Sequence, residues 1–123
     1  MATIDPPSHI DIDKATLSNE HYRRVLYTTD TMQLVVMSLH GRQEIGNEVH
    51  PHTTQFIKVV SGTGLAVVEG STTVLRPGVA VMVSPGTYHN IINNSALIPM
   101  KLYTIYSPPE HEPGLEQATK PTE

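Results

Sequence analysis

The sequence predicts an all-β, antiparallel chain, and three observations carry that prediction. Short runs of four to seven residues, rich in Val, Ile, Thr or Tyr, recur along it. Glycine, proline or Asn-Asn breakers stand between them. Only residues 13–20 (DKATLSNE) could form a helical turn or two, and that stretch lacks an apolar face. Short alternating runs separated by such breakers are the pattern of antiparallel strands joined by tight turns.

The runs follow in order. Residues 22–28 (YRRVLYT) and 33–39 (QLVVMSL) flank Asp30-Thr31, a turn pair. Gly41 and Gly46 then break the chain before residues 55–60 (QFIKVV). Gly62 and Gly64 precede residues 65–69 (LAVVE), and Gly70 precedes residues 72–75 (TTVL). Pro77-Gly78 leads into residues 79–83 (VAVMV), and Pro85-Gly86 into residues 89–92 (HNII). Asn93-Asn94 closes that run, and residues 100–106 (MKLYTIY) complete the series. Regular short spacing of this kind means a sandwich or a barrel. The reading divides the chain into an N-terminal arm (1–20), a barrel (21–107) and a proline-rich tail (108–123). The stretch from Ser107 onward holds four of the ten prolines, so the tail should lack regular structure. Phe56, the only phenylalanine, is read as core.

Runs 33–39 and 79–83 are apolar on both faces. A barrel strand normally shows one face to water, so a second subunit covering the outer face, a homodimer, is expected. The alternative is a second sheet of the same chain packed on that face.

Composition excludes several classes. The 123 residues suit one domain. No cysteine is present, which rules out disulfides, thiol catalysis and cysteine-bound metal and fits a reducing, cytoplasmic setting. The net charge is −4 and the eight Lys and Arg residues are scattered, so nucleic acid is not an expected partner. No apolar run approaches the ~20 residues that cross a bilayer, so no membrane partner is expected. The first residues show no charged-then-apolar export pattern, and the acceptor-like Asn93-Asn94-Ser95 is read as chance. Neither a serine triad nor a phosphate-cradling glycine loop is present.

The seven histidines are unevenly placed. A metal site inside a barrel needs ligands from different strands, and side chains spaced by two to share a face. Glu48, His50 and His52 satisfy the parity, and His89 could contribute from a neighbouring strand. Here the sequence resembles the cupin superfamily. The second cupin motif runs Gly, five residues, Pro-x-Gly, two residues, His, three residues, Asn. Gly78, Gly86, His89 and Asn93 match every spacing, with Ser84 in the proline place and Pro85 one residue late. The first motif is degenerate. Counting back from Gly62 puts Gln55 in the glutamate place, and Glu48 and His50 in the two histidine places. The other register, through His50 and His52, leaves only two residues before Gln55, fewer than the family's spacing. The favoured set is therefore Glu48, His50, Gln55 and His89, with His52 as the substitute ligand.

The resemblance implies an antiparallel double-stranded β-helix, the cupin or jelly-roll barrel, similar to small single-domain cupins described as mannose-6-phosphate isomerase-like. It also implies one divalent metal ion. Two imidazoles, one carboxylate and one amide suit Fe, Mn, Zn, Ni or Co. Gln55 binds more weakly than a carboxylate would and could sit behind the metal rather than on it. His9, His21, His40 and His111 match no spacing and are read as surface residues. Asn93 is read as a turn hydrogen-bonder. Three functions stay open: a metalloenzyme of dioxygenase or sugar-isomerase type acting on a small polar molecule, a non-catalytic small-ligand module, and a barrel with a vestigial site. A polar cluster aimed into a barrel costs stability unless something binds there, which favours the first.

Overall fold

The computed structural model describes residues 9–122. A helix, α1 (Ile12–Ser18), precedes nine strands. They are β1 (Arg23–Thr28), β2 (Gln33–Leu39), β3 (Thr54–Ser61), β4 (Gly64–Val68), β5 (Ser71–Leu75), β6 (Ala80–Val83), β7 (His89–Asn93), β8 (Met100–Ser107) and β9 (Glu116–Gln117). β1 to β8 coincide with the eight alternating runs to within a residue at either end, and every pairing is antiparallel. A six-stranded sheet has the order β6-β3-β8-β2-β1-β9, and a three-stranded sheet the order β5-β4-β7.

Strand periodicity selects what enters the space between the sheets. On β3, Gln55, Ile57 and Val59 are buried, while Phe56, Lys58 and Val60 are half-buried on the other side. Val35, Met37 and Leu39 from β2 and Leu102 from β8 join Ile57 and Val59 in the core. Ala66 and Ile91 of the smaller sheet face them. Met82 on β6 points outward and is 69% exposed. Phe56 shares that outer face, 6.3 Å from the Tyr103 ring, because its register partners are Met82 and Ile105. Phe56 is therefore not a core residue: strand parity overrides its hydrophobicity.

Residues 43–48 run beside β7 as an irregular extra strand. Ile45 N–H donates to Ile91 O (2.9 Å), and Asn93 N–H donates to Gln43 O (2.9 Å). Asn93 itself is fully buried. Its side-chain Nδ2 donates to the carbonyls of Leu39, His40 and Ile98, and its Oδ1 accepts from Ser95 N–H. This one amide ties the end of β7 to the end of β2 and to the turn before β8, the turn role expected of it.

The outer face of β2 around Val36 and Ser38 is covered by the chain itself. α1 lies against β8, β3 and β2, and Val36 and Ser38 are buried. Asp11 caps the helix by accepting from Lys14 N–H (3.1 Å), a contribution of about 1 kcal/mol. Thr16, with no exposure, supplies the inward face that the sequence pattern did not suggest. Lys101 closes the far end, donating from Nζ to Leu17 O (2.8 Å) and to the Glu20 carboxylate (3.0 Å). The two-faced pattern of β2 therefore has its explanation inside one chain, whereas Met82 on β6 stays bare.

The tail corrects a further expectation. β9 adds to the free edge of β1, pairing Arg23 with Gln117 and Arg24 with Glu116. Arg24 forms an ion pair with Glu116 at 2.8 Å, and Leu115 packs on the core. The edge of β1 offers unpaired backbone groups, and a proline-rich segment can still present two residues to it.

Candidate metal centre

Glu48 and His89 are opposite partners in an isolated antiparallel bridge. Glu48 N–H donates to His89 O (2.8 Å), and His89 N–H donates to Glu48 O (2.9 Å). Residues paired this way project to the same face. His50 lies two residues on, and its carbonyl accepts from Gly86 N–H (2.9 Å), so the turn of the second motif holds the first motif in place. Gly86 has φ +78°, a conformation that suits glycine.

Glu48, His50 and His89 each offer one ligand atom, and these atoms lie within 4.8 Å of one another. They could hold one metal ion. Gln55 reaches the group from the other sheet, with Oε1 3.0 Å from His89 Nε2. His52 is exposed on the turn that follows and does not join them.

Each imidazole is oriented from behind. His89 Nδ1 lies 2.9 Å from Thr87 O. With its proton there, Nε2 turns a lone pair toward Gln55 Oε1. Gln55 Nε2 in turn donates to Thr104 Oγ1 (3.0 Å), which sets the amide. Two lone pairs facing each other at this distance repel, and a cation between them relieves the repulsion. An amide turned over would instead donate to His89, so the same pair suits a site with or without its ion. His50 Nδ1 faces Glu110 Oε2 at 3.6 Å, while Nε2 faces Glu48 Oε1 at 3.6 Å. Nε2 is buried and has no hydrogen-bond partner among the described residues. A carboxylate on the side of one nitrogen and an unpartnered second nitrogen leave Nε2 free to serve as a metal ligand.

The charges agree with this arrangement. Burial pushes the Glu48 carboxyl up, but His50, Arg23 and His89 together pull it below the ordinary carboxylate value. Glu48 raises the His50 imidazole, burial opposes it, and Glu110 adds to the rise. Burial pushes the Tyr106 hydroxyl well up, so it keeps its proton. The Tyr106 ring stands edge-on to both His50 (5.7 Å) and His111 (5.2 Å) and forms the apolar wall of the site.

Residues 35–106 match the family model described as the cupin domain. The chain belongs to the cupin family. This cupin is 39% identical over 115 residues to protein L612 of Acanthamoeba polyphaga mimivirus, across 91% of this chain and 72% of that protein. It is 36% identical over 120 residues to YrkC of Bacillus subtilis, across 93% of this chain and 64% of YrkC, so it spans less than two thirds of YrkC's length. Among solved structures it is similar to BH2720 of Bacillus halodurans, with a TM-score of 0.92, 33% identity, and coverage of 97% and 95% of the two chains.

Four neighbours of the cupin's site carried no signal in the sequence. Glu110 and His111 lie in the tail and reach the site because the chain folds back along the barrel. His111 is not a free surface residue: its ring packs on Tyr106 and is half-buried. Tyr106 looked like any strand tyrosine. Arg23 is 8% exposed on β1, opposite Met37 of the core. Its charge acts on Glu48, His50, Tyr106 and His111. A buried charge stripped of its partner costs about 3–5 kcal/mol, so a guanidinium in this position needs an explanation.

Proposed function

We propose that this cupin is a divalent-metal enzyme acting on a small polar molecule at Glu48, His50 and His89, through oxygenase or isomerase chemistry. The observation that carries the reading is the convergence of three ligand atoms within 4.8 Å, one of them the buried, unpartnered His50 Nε2. A bound divalent ion would supply Lewis-acid polarisation, or electron transfer if it were iron or manganese. The remaining chemistry is the chain's own. Glu48 supplies the negative charge, Thr87 O holds the His89 imidazole in the tautomer that presents Nε2, and the Glu110 carboxylate lies 3.6 Å from His50 Nδ1. Gln55 supplies an amide oxygen beside His89, and Tyr106 shields the floor from water while holding a proton at its hydroxyl.

The test is metal content, measured by mass spectrometry on untagged protein with no metal added. About one equivalent per chain is expected for the wild type and for His52→Ala, with loss in Glu48→Ala and His89→Ala. Loss in His52→Ala with retention in Glu48→Ala would reverse the ligand assignment. Absence of metal after each ion is added back would turn the reading to a non-catalytic binding module. Iron or manganese would direct the search to oxygen-dependent reactions, and zinc, nickel or cobalt to isomerases.

We also propose that a second copy of the chain covers the outer row of Met82, Phe56, Ile105 and Leu34. These four stand side by side across β6, β3, β8 and β2. β6 is the edge strand of its sheet, so the row runs out to a free edge. A two-fold contact brings the same row and the same edge from both copies.

A further inference from the structure

Two adjacent arginines on β1 differ in one respect. Arg24 points outward, and its Nε and Nη2 both donate to Glu116 Oε1, at 3.0 and 2.8 Å. Arg23 points inward, and its Nη1 donates only to the neutral Gln117 Oε1, at 2.7 Å. Arg23 Nε is buried with no partner among the described residues. The ion pairs there join His21 and Arg24 to Glu116, His50 to Glu48 and Glu110, and Lys101 to Glu20; none takes Arg23. The Tyr22 ring, 5.0 Å from Arg23 Cζ, shields one face of the guanidinium. The Nε and Nη2 edge that grips a carboxylate on Arg24 thus meets no carboxylate on Arg23.

We infer that Arg23 receives the anionic end of the ligand, and that the molecule bound beside Glu48, His50 and His89 is a small carboxylic acid. This rests on the metal reading above and narrows its substrate class. A divalent ion held by one carboxylate leaves a positive charge in the barrel, and Arg23 adds another. An anion spanning the two would neutralise both. A guanidinium edge matches a carboxylate with two parallel hydrogen bonds, which a neutral sugar hydroxyl cannot supply. Because Nε is shielded from solvent, docking includes a small shift of the Arg23 side chain, which its long stem permits.

The test uses the whole protein loaded with manganese. Acetate, malonate and succinate are each titrated against the corresponding amide by calorimetry, and the manganese content is measured in parallel. At least one acid is expected to bind tenfold or more tightly than its amide. Arg23→Met should remove that preference while manganese stays at the wild-type level. Arg23→Lys should weaken the acid several-fold and leave the amide unchanged, and it replaces Arg23→Met if that variant does not fold. Equal binding of acid and amide by the wild type, or a preference that survives Arg23→Met, overturns the inference. An Arg23-dependent preference in protein that holds no manganese keeps the carboxylate site and sinks the metal reading. Manganese held without any preference does the reverse.

Discussion

His111 shows how the tail enters the chemistry of the barrel. Burial, helped by the charge of Arg23, pushes its imidazole down to about 4 from an ordinary value of 6.5. Between those values the unfolded chain holds a proton that the folded chain does not. Stability therefore rises with pH across that window and is lost as pH falls through it. His111→Gln is expected to flatten the dependence between about pH 4 and 6.5 and to leave stability at pH 8 nearly unchanged, as read from urea midpoints at stepped pH. Below the ordinary carboxylate value, Glu48 adds a loss of the same sign, because its lowered value favours the folded state only while it is ionised. A slope as steep in His111→Gln as in the wild type would mean that His111 is free to take its proton in the folded protein.

At the scale of the element, β7 organises the site. It carries His89 at its first residue and Asn93 at its last. His89 is aligned by the bridge to Glu48, and Asn93 anchors the opposite end through three carbonyls. Asn93→Ala leaves buried carbonyls without a donor, which costs about 1–3 kcal/mol. Denaturant unfolding should show that loss, while metal content at low temperature stays near the wild-type level, since Asn93 touches no ligand. A loss of metal without a loss of stability would instead place Asn93 in the site. The motif containing His89 and Asn93 was legible in the sequence because its spacing is local: a turn, then a strand of fixed period. Gln55 and Glu48 were legible only by counting from Gly62, since the intervening loop has no periodicity of its own.

For the whole molecule, the proposed pairing of two copies rests on the outer face of the larger sheet. α1 covers the part over β2, and Lys101 closes its edge. In a single chain Met82 is left to water, and Phe56, Ile105 and Leu34 beside it are half-buried. The wild type is expected to sediment at twice the 13.5 kDa chain mass, and Met82→Glu at the mass of one chain. A monomeric wild type would remove the second copy from the proposal, leaving Met82 as a tolerated exposed side chain. Among the described residues no helix is long and apolar enough to cross a membrane.

The sequence by itself determined the strands, their antiparallel order of turns, and the histidine of the second motif. These depend on period-two alternation, on breakers and on spacing within a few residues, all local quantities. The tertiary structure alone decided the rest. Parity across the sheet turned Phe56 and Met82 outward. The free edge of β1 captured residues 116 and 117 from a tail that composition marks as irregular. That capture brought Glu110 behind His50 and His111 onto Tyr106, contacts spanning 60 residues for the first pair. Arg23 and Arg24 are identical in sequence and adjacent. Which of them is paired outside and which is held inside follows only from the face that each presents to the folded sheet.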